Sequence, residues 1–101
     1  MRRDDIAALG IDVDGRLWVR PSTETFAMIY RAAMEVHWDA EARFLYSPKP
    51  REWSYLRWFQ QIINAAREAS CCLCITAETQ WENIPESLRL EITSWSAGAC
   101  A

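Results

Sequence analysis

The chain's single histidine lies in Glu35-Val-His37-Trp-Asp39, a spacing that could do chemistry. On a strand, residues two apart share a face, so Glu35, His37 and Asp39 would line up. A carboxylate beside an imidazole raises its basicity and orients it, as a general base needs. One imidazole and two carboxylates could also hold a divalent ion. One reading is therefore a small hydrolase or metal-dependent enzyme centred on His37 with Glu35 or Asp39. The plainer reading is a charged, solvated strand face, and a lone histidine is a poor basis for zinc. Cys71-Cys72-Leu73-Cys74 contains a C-x-x-C spacing, but in a strand-like run rather than at a helix start. Cys71 and Cys74 then point to opposite faces, while Cys72 and Cys74 share one and read as small hydrophobes. Glycine-rich phosphate loops and nucleophile elbows do not occur, and no metal or cofactor is expected.

Aromatic residues offer a second kind of chemistry. Six tryptophans in 101 residues exceed what a small core is expected to absorb, so some should hold a ligand or a partner. Trp53, Arg57 and Trp58 mix rings with a cation, as stacking sites and subunit interfaces do. Stepping 100° per residue places Trp53 and Trp58 at opposite borders of an apolar stripe. The leading functional reading is a non-enzymatic accessory binding or interaction protein, homo-oligomeric, that uses surplus aromatics at an interface or cleft. Trp53, Trp18, Trp81, Trp58 and Arg57 are the candidate contributors. Its partner would be a second copy, another protein, or a small apolar or aromatic ligand. An antitoxin or immunity-type protein is a further alternative, in keeping with small size and mild acidity.

Composition narrows the field. The net charge of −3 argues against nucleic-acid binding, which needs a basic face. No run approaches the ~18 apolar residues of a membrane span. Met1-Arg-Arg-Asp-Asp5 lacks the apolar segment of a secretory signal. Three cysteines within four residues cannot bridge one another without strain, so a reduced, cytoplasmic protein is expected. Ten of the eleven basic residues are arginine, which either a GC-rich coding sequence or stacking and bidentate pairing would explain.

These residues need elements to position them. A single domain over 1–101 is expected, with 1–9 as a lead-in and 96–101 as a frayed tail. Asp14-Gly15 marks a hairpin within 11–20, and Pro21 with Ser22 or Thr23 introduces a helix over 23–34. Over 36–47, a three-residue loop at Ala40–Ala42 would set Val36 opposite Tyr46 and Trp38 opposite Phe44, giving one aromatic and one charged face. A helix over 51–69 follows, with Tyr55, Leu56, Phe59, Ile62, Ile63, Ala66 and Ala69 on its apolar face. Cys71–Ala77 reads as a central strand, 79–83 as a loop carrying Trp81, and 85–95 as a short helix or, by its alternation, a strand.

The resulting fold class is α+β, a two-layer sandwich. A mainly antiparallel sheet carries two main helices on one face, in the order β-β-α-β-β-α-β-α. The expected core contains Phe26, Tyr30, Trp38, Phe44, Leu56, Phe59, Ile63, Leu73 and Ile75. Arg16-Leu-Trp-Val-Arg-Pro21 and Arg43-Phe-Leu-Tyr-Ser-Pro48 echo each other, which either duplication of a ββα unit or shared local rules would produce.

Val36-His-Trp-Asp39, Leu45-Tyr-Ser-Pro-Lys-Pro-Arg-Glu-Trp-Ser-Tyr55 and Trp58-Phe59, with Trp81 and Ile84-Pro85 downstream, resemble uncharacterised bacterial proteins carried on integron gene cassettes. The resemblance covers roughly residues 11 to 95. It implies a small, cytosolic, often oligomeric accessory protein, and it brings no catalytic motif to transfer.

Overall fold

The computed structural model describes residues 2–26, 35–48 and 53–99. Their elements run β1 (Arg2–Ile11), β2 (Leu17–Pro21), β3 (His37–Asp39), β4 (Phe44–Tyr46), α1 (Tyr55–Glu68), β5 (Cys71–Cys74), β6 (Gln80–Glu82) and α2 (Glu86–Ala99). The fold is mixed α+β, one mostly antiparallel sheet in the order β3-β4-β2-β1-β5, with β6 also paired to β1. β1/β2, β2/β4 and β3/β4 are antiparallel, while β5 and β6 lie in tandem along β1 and parallel to it.

The N-terminal segment expected as a lead-in is the longest strand. Its burial alternates through Asp4 and Ile6, then changes phase where a bulge falls between Ile6 and Ala8. A bulge breaks the period of two, so no single alternation runs through the strand. Thr79 secures this irregular stretch, its hydroxyl donating to the Ile6 carbonyl at 2.7 Å. The β1–β2 turn follows the Asp-Gly signal. The Asp12 carboxylate accepts from the Asp14 and Arg16 backbone N–H groups, and Gly15 takes φ 82°.

The second hairpin differs from expectation by one residue. His37 pairs with Tyr46, Trp38 with Leu45 and Asp39 with Phe44, across a four-residue connection. Asp39 accepts from the N–H groups of Glu41 and Ala42, and Arg43 supplies the left-handed residue at φ 61°. A one-residue slip exchanges faces. Val36, Trp38 and Leu45 turn inward, whereas Phe44, expected in the core, faces out beside Tyr46, His37 and Asp39.

α1 begins at Tyr55 rather than 51, because Ser54 caps it and accepts from the Arg57 N–H at 3.2 Å. Its buried residues are Trp58, Phe59, Ile62, Ile63, Ala65 and Ala66. The stripe is thus turned toward Trp58 and Ala65, leaving Tyr55, Leu56 and Ala69 partly buried at its margin. The Tyr55 hydroxyl donates to the Gly15 carbonyl at 2.8 Å and ties the helix to the β1–β2 turn. α1 and α2 share one core with Ile6, Leu9, Leu17, Val19 and Leu45, so both lie on the same side of the sheet.

Three further expectations need correction. β5 is shorter than proposed and lies at the sheet edge beside β1 rather than centrally; α1 supplies its burial. The supposed loop at 79–83 contains β6, whose three residues carry too little pattern to declare a strand. The helical reading of 85–95 holds over its strand alternative: the stretch lies mainly in α2, longer than expected at 14 residues, which buries Leu88 and Ile92. The stretch 23–26 is not helical, and 27–34, including Tyr30, lie outside the described residues.

Gly10 shows how tightly β1, β2 and β6 meet. A Cβ there would fall 2.5 Å from the Glu82 carbonyl oxygen and 2.8 Å from Trp18 Cζ2. The strand cannot withdraw without breaking its pairing to β6. Gly10→Ala is expected to destabilise by about 1–3 kcal/mol, as overpacking does. Urea unfolding checks this, and an unchanged midpoint would show that the backbones are not so close.

Candidate functional site on the sheet face opposite the helices

Strand register determines what this outer face presents, because directly paired residues project to the same side. One row across the sheet runs His37, Tyr46, Trp18, Gly10 and Glu82; the next runs Asp39, Phe44, Arg20, Ala8 and Gln80. Aromatic rings occupy the middle. Trp18 stacks on Phe44 at 5.3 Å between centroids, His37 stacks on Tyr46 at 5.3 Å, and Phe44 meets Tyr46 edge-on at 6.1 Å.

Guanidinium groups lie over these rings. Arg16 is 5.1 Å from the Tyr46 centroid, and Arg20 is 5.1 Å from that of Trp18 and 5.8 Å from that of Phe44. Cation–π attraction of this kind contributes about 0.5–2 kcal/mol. Arg16 also pairs with Asp12 at 3.0 Å and Asp14 at 3.4 Å. Burial pushes the Asp12 carboxyl up, but hydrogen bonds from the Arg16 and Asp14 backbones and the Arg16 charge outweigh it, and its pKa lies below the ordinary value. Trp18 itself is only 5% exposed, because its ring rests on Gly10 under Arg20 and Phe44. Arg16, Arg20, His37, Asp39, Phe44 and Tyr46 are partly exposed, and Gln80 and Glu82 are exposed.

His37 and Asp39 thus share a face, as a strand requires. Glu35 precedes β3 and has φ 57°, so it does not continue the strand's alternation. The Asp39 carboxylate is engaged by the turn's two N–H groups. Among the described residues, no three His, Cys, Asp or Glu side chains gather as a metal site.

The tryptophans prove less available than their number implies. Trp18 and Trp58 are buried, and Trp38, Trp53, Trp81 and Trp95 are half-buried against the core. Trp53 and Trp58 are neighbours, 4.8 Å apart, rather than on opposite borders. With Ser54 as N-cap, they occupy the positions of a hydrophobic staple, which fixes how the chain enters the helix. Arg57 covers Trp53 at 4.7 Å, and Arg89 of α2 covers Trp81 at 5.0 Å on the helix side of the sheet. The candidate residues Trp53, Arg57 and Trp58 therefore come together, while Trp18 and Trp81 stand apart from them. Stacking gives four of the ten arginines a physical role that lysine fills less well.

Residues missed from sequence are Arg16, Arg20, Phe44, Tyr46 and Glu82. Arg16, Trp18 and Arg20, two apart around β2, held a usable signal for the outer face.

The family model for Integron Cassette Protein Hfx_Cass5 matches residues 4–79. The chain belongs to this integron cassette family. That match takes in β1 from Asp4 onward, β2 to β5 and the whole of α1, but ends before β6 and α2. A solved structure of Hfx_Cass5, from the mobile metagenome of the North West Arm sewage outfall, is similar at 46% identity. The alignment covers 96% of this chain and 98% of that one, with a TM-score of 0.48. No curated protein matches. Among the described residues, no helix is long and apolar enough to cross a membrane.

Proposed function

We propose that this cassette protein is a non-enzymatic interaction protein that self-associates through the outer face of its sheet. The supporting observation is the paired rows of rings and guanidinium groups around Trp18, Phe44 and Tyr46. Interface centres favour aromatics and arginine, which supply contact area with few freely rotating bonds. Charge placement favours a second copy as the occupant. One row ends in His37 and the other end of the same row is Glu82. A two-fold axis through the middle sets the imidazole end of each copy over the carboxylate end of the other.

Light scattering behind size exclusion, over a hundredfold concentration range, tests this reading. The wild type is expected to dimerise. Tyr46→Ser should raise the dissociation constant by about 10–100-fold, the loss typical of a central interface ring. Glu82→Lys, at the rim, should weaken association less and in a salt-dependent way. A monomer at every concentration, or a dimer indifferent to Tyr46→Ser, would overturn the proposal.

A further inference from the structure

On the other side of β1, at the sheet edge, β5 presents a pair of thiols. Cys72 and Cys74 are two apart on one strand, so their Cα atoms stand about 6.6 Å apart. Their sulfurs nevertheless converge to 4.0 Å. Both cysteines are free of disulfide bonds. Cys74 lines a cleft of about 260 Å3 between the sheet edge and α2, with Arg3, Thr93 and Ser96 among its walls. Arg3 is also the direct cross-strand partner of Cys72.

Two sulfur donors bound to one ion at about 2.3 Å, with a tetrahedral angle between them, lie roughly 3.8 Å apart. The observed separation needs little adjustment to reach that value. Thiolate donors select soft ions over magnesium or calcium. The open cleft leaves room for water or a small solute to complete the coordination.

We propose that Cys72 and Cys74 form a two-thiolate site for a soft divalent metal ion, with the remaining coordination positions opening into the cleft beside Arg3. Binding replaces two S–H bonds by two sulfur–metal bonds and releases two protons to solvent. Cys71 is outside the site: it pairs beside Arg2, and alternation turns it to the opposite side of the strand. Burial, with the Glu24 and Asp4 carboxylates adding to it, pushes its thiol up to about 11. The inference is independent of self-association through the outer face.

Cadmium alone is the probe, titrated into the full chain carrying Cys100→Ser and followed by sulfur-to-metal charge-transfer absorption and proton release. One ion and two protons per chain are expected, with Cys71→Ser leaving both unchanged. Cys72→Ser should weaken binding by more than about a hundredfold, beyond what losing an outer-shell partner costs. Cys72 is half-buried, so this variant keeps a native thermal transition; Cys74→Ala gives the same loss by the same readout. Absence of charge-transfer absorption, or its persistence in folded Cys72→Ser, would overturn the site.

Discussion

Phe59→Ala is expected to lower the unfolding free energy by about 3–5 kcal/mol. Phe59 is fully buried in α1, within the core that joins both helices to the sheet. Its ring meets Trp95 of α2 edge-on at 5.8 Å, so removing it leaves a void where two helices meet. The cost has two parts: the transfer free energy of the lost ring, and the contacts its neighbours cannot recover. For a domain of this size, that loss corresponds to a fall in melting temperature of well over about 10 °C. A shift of only a degree or two would show that α1 is rotated from the register described. Phe59→Leu keeps most of the volume and should recover a large part of the loss.

That register was legible because α1 has a clear period and a serine cap; the sheet was harder for identifiable reasons. β1 hides behind its bulge and behind Asp4, a buried charge that reads as solvated in any pattern of polar and apolar residues. β6 and β3 have three residues each, and their position depends on pairing partners distant in sequence. In the second hairpin, Val36, Trp38, Leu45 and the outward Phe44 and Tyr46 are all apolar or aromatic. Two registers therefore both look amphipathic, and Arg43 in a left-handed conformation decides between them.

The candidate surface was hidden by the same ambiguity. Counting tryptophans pointed to residues that the fold largely covers: Trp53 and Trp58 staple a helix start, and Trp18 rests on a glycine. On the outer face Phe44 and Tyr46 are left partly open, and a three-residue loop would have turned them inward. Arginine, rather than tryptophan, marks the outer face. A guanidinium laid on a ring keeps its edge N–H groups free to donate, so the cluster is apolar in packing and polar at its outer boundary.

Asp4→Ala is expected to destabilise by about 3 kcal/mol at neutral pH, because it strands several donors at once. The carboxylate, 8% exposed, accepts from the Thr23 and Glu24 backbone N–H groups at 3.0 Å, the Thr23 hydroxyl at 3.1 Å and the Asp5 N–H at 3.0 Å. It thereby fastens the segment after β2 to β1, and no other described side chain accepts from those N–H groups. Burial pushes the carboxyl up, but the hydrogen bonds from Glu24, Thr23 and Asp5 outweigh it, so its folded pKa lies below the ordinary value. A depressed folded pKa means that the unfolded chain takes up the proton first as pH falls. The stabilisation is then fully present above the ordinary carboxylate range and is lost as pH falls through the folded value. Asp4→Asn keeps the shape and one acceptor but cannot titrate. The stability gap between wild type and Asp4→Asn should therefore narrow steadily below about pH 4. Asp12, also depressed, titrates in both proteins and cancels from the difference. Urea unfolding at a series of pH values measures the gap, and a gap constant from neutral pH down to pH 2 would show that the Asp4 charge does not hold this segment.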